Sequence, residues 1–426
     1  MNSIGGRTAE EIAGSVRDLV SVGELSAGAM LPPIRALAAD LGVNRNTVAA
    51  AYRHLVAAGV AETHGRGGTA IAGLPELTRE GAAASALVDL ASGNPDPRLL
   101  PELRLPGTGD ADEPVLYGLP AEDPRLVDWA ERTFTADVAR AFTVVVAHGA
   151  VDAVERVLAA HLTRGDAVAV EDPCFLAHIG TLRLSGFEAV PVPVDAAGMT
   201  ADGLERALAA GVRAVVVTPR AQNPTGASLT ATRAAELRAV LARFPHVLVI
   251  EDDHFSALAQ ATYQRVTPPE TARWALVRSV TKFLGPDLRV AVLAADDVTA
   301  AHVRARLAPA WVSHLLQRLA AHLLEDEATA GLVARARAAY HERARLLVDA
   351  LDVPVAIPPD GLNVWVDVPG DADRVTAALA DLGFHVRPAS AFAVGGPTRH
   401  ALRVTTATLT PEQAEAFATA LKTAKK

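Results

Sequence analysis

Ser279-Val-Thr-Lys-Phe-Leu-Gly-Pro-Asp-Leu-Arg289 is the stretch that decides how the larger part of the chain folds. Of 40 Lys plus Arg, only Lys282, Lys422, Lys425 and Lys426 are lysine, and the last three close the chain. Every other positive side chain before Lys422 is an arginine. A guanidinium stays protonated in proteins, whereas an ammonium can lose its proton and attack a carbonyl carbon. Lys282 therefore offers the one chemistry arginine cannot copy, Schiff-base formation. Ser279 before it and Arg289 after it supply a hydroxyl and a guanidinium able to grip a phosphate. A reactive lysine beside a phosphate clamp points to pyridoxal 5'-phosphate (PLP).

Working outward from Lys282, short apolar runs alternate with amphipathic helical stretches. The runs lie at 143–147, 167–170, 189–192, 214–217, 247–250, 275–278 and 290–294. Such alternation implies a mostly parallel sheet covered by helices. After Pro309 come long helical segments and a smaller α+β portion with strands at 362–368 and 402–405. His148-Gly149-Ala150 follows the first run, and a glycine at a strand-to-helix turn presents backbone N–H groups to a phosphate. Glu171-Asp-Pro-Cys-Phe175 follows the second run; Phe175 suits either stacking on a flat ring or the core. Val247-Leu-Val-Ile-Glu-Asp252-Asp253-His254 sets carboxylates at the C-terminal end of a buried strand, where open α/β sheets collect ligands. Carboxylates there need a cation, and a protonated pyridine nitrogen is one.

The first 72 residues carry a different pattern. Thr8-Ala-Glu-Glu11 reads as a capping box, with Ile12, Val16, Leu19 and Val20 on one helical face behind it. Pro33 suits the start of a second helix carrying Leu37 and Leu41, which Gly42 stops. Asn44 caps a third helix, with Val48, Tyr52, Leu55 and Val56 expected inward. Residues 60–64 and 69–71, joined through Gly65-Arg-Gly-Gly68, read as a hairpin. This is a winged helix-turn-helix, and its third helix would enter the major groove with Arg45, Asn46 and Thr47 leading. Arg45 and Asn46 suit either base edges or phosphates, and the wing tip would present His64 and Arg66. Residues 73–88 are Ala-rich with scattered Gly and Pro, and read as a linker.

Composition sets the outer bounds. At 426 residues, half of them apolar, the chain can build two or three domains. No apolar run approaches the roughly 18 residues that span a bilayer. The single Cys174 excludes an internal disulfide framework and leads us to expect a cytoplasmic protein. The net charge of −9 lies wholly outside the first 72 residues, where six Arg balance six acids. DNA binding is therefore inferred from architecture, not from charge.

Leu31-Pro-Pro-Ile-Arg35, Leu37-Ala-Ala-Asp-Leu-Gly-Val43, Asn46-Thr-Val48, Tyr52-Arg-His-Leu55 and Gly67-Gly-Thr69 together resemble the GntR family of regulators. The resemblance adds Arg35 to the DNA contacts. Asn223-Pro-Thr-Gly226, Glu251-Asp-Asp253 and Ser279-x-x-Lys282 with Arg289 resemble the fold-type I aminotransferases. That resemblance implies that Lys282 holds PLP as a Schiff base and Asp252 pairs with the pyridinium nitrogen. It further assigns Asn223 to the phenolic oxygen, Phe175 to the ring face, and Gly149, Ala150, Ser279 and Arg289 to the phosphate. Tyr117 would reach a neighbouring subunit's site in a homodimer, and Arg403 would bind a substrate or effector carboxylate. His254 stands where the family usually places a tyrosine on the phenolic oxygen.

The layout as a whole resembles the MocR branch of GntR regulators. It implies residues 1–72 as the DNA-binding domain, 73–88 as linker and 89–420 as an α/β aminotransferase-like domain. Within the last, about 110–308 form the large part and about 309–420 the small part. The implied function is a PLP-binding transcriptional regulator on double-stranded operator DNA, with PLP, an amino acid or an amine as effector. The alternative is a working aminotransferase with an accessory N-terminal domain. His254 favours weak or absent turnover.

Overall fold

The computed structural model describes residues 3–63, 67–73, 80–81, 86–104, 114–308, 310–395 and 400–425. His64 and Arg66, assigned to the wing tip, lie outside the described residues. The chain divides into two compact units, one built on residues 1–76 and the other on 77–182 with 188–426.

In the first unit, helix α1 (Ala9–Ser21) begins with a complete capping box. The Thr8 side chain accepts from the Glu11 N–H while the Glu11 carboxylate accepts from the Thr8 N–H. Helix α2 (Ile34–Leu41) ends at Gly42, whose left-handed φ of 66° a side chain would resist. Two residues on, Asn44 Oδ1 accepts from the Asn46 N–H at 2.8 Å and starts α3 (Arg45–Ala57). Ile12, Val16, Leu37, Val48, Ala51, Leu55 and Ile71 close the core between the helices and the hairpin. Tyr52 is buried among them and donates its hydroxyl to the Pro32 carbonyl at 2.6 Å. Val56, expected inward, is exposed instead. The buried stripe of α3 runs through 48, 51, 52 and 55, and 56 falls on its flank. Strands β1 (Ala61–Thr63) and β2 (Thr69–Ile71) pair antiparallel as the expected hairpin.

The second unit opens with β3 (Val88–Asp89) and α4 (Pro124–Thr135), then alternates strands and helices. In order these are β4 (Thr143–Ala147), α5 (Ala150–His161), β5 (Ala167–Asp172), α6 (Leu176–Ser185), β6 (Glu188–Asp195), β7 (Gly198–Met199), α7 (Ala201–Ala209), β8 (Ala214–Val217), α8 (Ala231–Ala242), β9 (Leu248–Asp252), β10 (Trp274–Ser279), β11 (Ala291–Ala295) and α9 (Asp297–Leu307). Strands β4 to β11 form one sheet in the order β4-β11-β10-β9-β8-β5-β6-β7. The pairs β10-β9, β9-β8, β8-β5 and β5-β6 are parallel; β11 runs antiparallel to both neighbours, and β7 to β6. Each apolar run expected as a strand is one. Those buried on both faces, such as β8 and β11, are apolar throughout because helices cover the sheet.

One core joins α4, α10 (His314–Glu325) and α11 (Glu327–Ala350) to β4, β10 and β11 through Phe134, Trp274, Val292 and Leu319. Another joins α7 and α8 to β5, β6, β8 and β9 through Leu204, Val215, Leu237 and Val249. Each such side chain contributes about 1.5–3 kcal/mol when fully buried. The smaller part pairs β12 (Asn363–Asp367) with β15 (Ala401–Thr405) and carries α12 (Ala372–Asp381). Further on come β13 (Phe384–His385), β14 (Arg387–Pro388), β15 (Ala401–Thr405) and α13 (Pro411–Ala424).

Candidate functional site

The sheet register assembles the site. Because β4 and β10 both run antiparallel to β11, their C-terminal ends share an edge with those of β9, β8 and β5. Ala147 and Ser279 both face Ala291, so Gly149, Ser279 and Arg289 meet where β11 begins. Asp252 ends β9 opposite Val277 of β10. Ligands of open α/β sheets bind at this edge.

Gly149 has a φ of 89°, and a Cβ there would stand 2.8 Å from an Arg289 guanidinium nitrogen. The missing side chain thus lets Arg289 lie over the N-terminus of α5, where Nη2 donates to the His148 carbonyl at 3.3 Å. Arg289 itself takes a left-handed φ of 48°. Ser279 Oγ and Thr281 Oγ1 are 2.8 Å apart. Helix N–H groups, a guanidinium and two hydroxyls form a cup suited to a phosphate. Thr281, one residue before the lysine, was not singled out from the sequence.

The three consecutive acids of β9 have separate partners. Glu251 accepts from the Tyr263 hydroxyl, the N–H groups of Val266 and Thr267, and the Thr267 hydroxyl. Asp253 takes both Arg220 nitrogens, at 2.7 and 2.8 Å, and Arg278 Nε at 2.9 Å. Asp252 faces two histidines: its Oδ2 lies 3.1 Å from His254 Nδ1 and 3.2 Å from His178 Nε2. Burial alone would raise the Asp252 carboxyl, but His254 and His178 more than offset it, holding it well below the usual carboxylate range. Its other oxygen, Oδ1, is buried without a hydrogen-bond partner, as is His254 Nε2. An ionised carboxylate with one free buried oxygen fits a pyridinium N–H, and a free imidazole nitrogen fits a phenolic oxygen. Sequence reading missed His178. It lies in the first turn of α6, three residues after Phe175, a spacing that puts both on one side of the helix start. Phe175 stands edge-on to His178 and stacks near-parallel to His254, 5.8 Å between ring centres.

Lys282, half-buried, donates from Nζ to the Gly93 carbonyl at 2.8 Å and lies 5.8 Å from the centre of the Phe255 ring. Burial pushes its ammonium down to about 8; Glu80 opposes this, and Arg403 and Arg289 add to it. Arg403, in β15, is fully buried and donates from Nη1 to Asn223 Oδ1 at 3.0 Å. Tyr117 is not brought to this group: it is 91% exposed and lies edge-on to Trp311. In the first unit, Arg35, Arg45 and Asn46 are exposed and Thr47 is half-buried at the start of α3. Arg45, Asn46 and Thr47 share a helix N-terminus whose first turn holds no acid.

A helix-turn-helix reader on a chain that also carries this α/β site defines a fused class of regulator. Bacterial regulatory proteins of the gntR family match residues 8–71, and class I and II aminotransferases match residues 112–421. The chain belongs to the MocR branch of the GntR regulators. It is 46% identical over 421 residues to the vitamin B6 salvage pathway transcriptional repressor PtsJ of Salmonella typhimurium, covering 97% of this chain and 98% of that one. Among solved structures, kynurenine aminotransferase of Pyrococcus horikoshii, complexed with PMP, superposes with a TM-score of 0.71 at 20% identity, over 80% of this chain and 92% of that one. LysN, the α-aminoadipate aminotransferase of Thermus thermophilus, complexed with N-(5'-phosphopyridoxyl)-L-leucine, gives 0.68 at 25% identity, over 80% and 93%. The fold is thus that of PLP-dependent aminotransferases, and the gntR domain makes the chain a DNA-binding transcriptional regulator. Among the described residues no helix is long and apolar enough to cross a membrane.

Proposed function

We propose that this regulator binds PLP in the cleft at the strand ends and uses it, or an amino compound that reacts with it, to set its affinity for operator DNA. The observation that carries the reading is the free, buried Oδ1 of an ionised Asp252 in the same site as the lone reactive lysine. PLP supplies an aldehyde that captures amines and a ring that withdraws electrons when its nitrogen is protonated. Lys282 is the nucleophile for the aldehyde carbon. Asp252, oriented by His178 and His254, would keep the ring nitrogen protonated. His254 Nε2 and Asn223 would hold the phenolic oxygen, Phe175 would cover the ring, and Gly149, Ala150, Ser279, Thr281 and Arg289 would hold the phosphate. Arg403 takes the carboxylate of an effector. Arg35, Arg45, Asn46 and Thr47 contact DNA.

The repressor PtsJ acts in vitamin B6 salvage, and its identity along the whole chain supports PLP over an unrelated amine as the primary effector. Exposed Tyr117 supports a homodimer in which it completes the neighbouring site. With His254 in place of the tyrosine, transamination is expected to be weak or absent. The test is borohydride reduction of PLP-treated protein followed by peptide mapping. We expect the label on Lys282 alone, and none in Lys282→Arg. Label on the C-terminal lysines only would overturn the assignment.

A further inference from the structure

Glu80 lies near the start of the second unit, and its side chain lies in the cleft. Its Oε1 accepts from Arg403 Nη1 at 2.5 Å and from Asn223 Nδ2 at 3.0 Å, and its Oε2 accepts from Arg403 Nη2 at 2.8 Å. Gly93, whose carbonyl holds Lys282, makes room for it: a Cβ there would stand 2.8 Å from Oε2. The neighbouring Gly81 is fastened by its backbone. Its N–H donates to the Ser92 carbonyl at 2.9 Å, and its carbonyl accepts from Arg387 Nη2 at 2.7 Å. Two consecutive residues, Glu80 and Gly81, are thus docked on the smaller part's Arg403 and Arg387. The Glu80 carboxyl resists burial, but Arg403, and after it Lys282 and Asn223, hold it below the usual range. A guanidinium as buried as that of Arg403 needs a carboxylate, and its fork matches one bidentately. Here the chain supplies that carboxylate itself.

We propose that Glu80 is a tethered carboxylate that fills the effector-carboxylate subsite of Arg403 and Asn223, so that the cleft selects against amino acids. This rests on the reading that the cleft holds PLP and that Arg403 receives a carboxylate. In the docked state, PLP and amines without a carboxylate reach Lys282 unopposed. An amino acid enters only by displacing the Glu80 carboxylate from Arg403 and Asn223. A group held on a short tether competes at an effective concentration in the millimolar range, so where the subsite's own dissociation constant for the Glu80 carboxylate lies about tenfold below that concentration, a free carboxylate is weakened roughly tenfold.

The test uses full-length, PLP-treated protein as wild type, Glu80→Ala and Glu80→Gln. Each is titrated with L-alanine and with ethylamine, the same amine lacking the carboxylate, and followed by the absorption of the bound cofactor. We expect L-alanine to act at a concentration about tenfold lower in Glu80→Ala, with Glu80→Gln between, and ethylamine to act alike on all three. Equal responses to L-alanine in all three, or an equal gain for ethylamine, would overturn the proposal. A second arm needs no cofactor. Acetate should raise the melting temperature of Glu80→Ala, and neither that of wild type nor that of the Glu80→Ala, Arg403→Ala double variant. No acetate effect on Glu80→Ala overturns the tethered-carboxylate assignment even where PLP binds. An acetate effect without cofactor uptake upholds the subsite and instead removes the PLP reading.

Discussion

At the scale of single residues, the site depends on groups moved away from their ordinary protonation. Burial brings the Lys282 ammonium from 10.5 down to about 8. Only the neutral amine attacks an aldehyde, so attachment of PLP should accelerate as pH rises through about 8 and level off above it. Stopped-flow traces from pH 6.5 to 10 check this; a rate still climbing steeply at pH 10 would show an unperturbed lysine. Glu171, at the end of β5, moves the other way. Burial raises its carboxyl to about 7, against the pull of Thr218 and Gln222, with Asp252 adding to the rise. The folded pKa lies above the ordinary 4.5, so the stability from its neutral form is complete below 4.5 and is lost as pH rises through 7. Glu171→Gln should therefore match wild type in thermal unfolding at pH 5. At pH 8 it should exceed wild type by up to about 3 kcal/mol.

At the scale of elements, legibility followed how local the determinant is. The capping box at Thr8 and the Asn44 cap were plain because each is decided by side chains three or fewer residues apart. Strands such as β8 and β11 were plain because burial on both faces demands unbroken apolar runs. Val56 was misplaced because the flank of a helical stripe depends on neighbours that periodicity does not name. His178 was missed because nothing in a helix start announces which strand end it faces. Glu80 was missed because its partners lie 143 and 323 residues away in the chain. Asn44→Ala removes the acceptor for the Asn46 N–H and should destabilise the DNA-binding unit by about 1 kcal/mol. Thermal unfolding of the full chain, followed by a probe on that unit, checks it. Because the cap also fixes where Arg45 and Asn46 project, operator binding should weaken with it.

At the scale of the whole molecule, the chain divides into two compact units, and the second carries in Glu80 a carboxylate that lies in its own cleft. A ligand shifts DNA affinity only as far as it favours one arrangement of the chain over another. Arg45→Ala should lower operator affinity while leaving PLP attachment to Lys282 unchanged, since the two residues serve different units. The most direct measurement titrates an operator fragment, recovered by selection with the full-length protein, against wild type and Lys282→Ala, each with and without PLP. We predict that PLP changes the wild-type affinity by roughly 5–150-fold and leaves the variant's unchanged, the usual span for coupled sites. Wild-type affinity and footprint indifferent to PLP would contradict the account and leave the aminotransferase-type domain to be explained as an enzyme or a dimerisation scaffold.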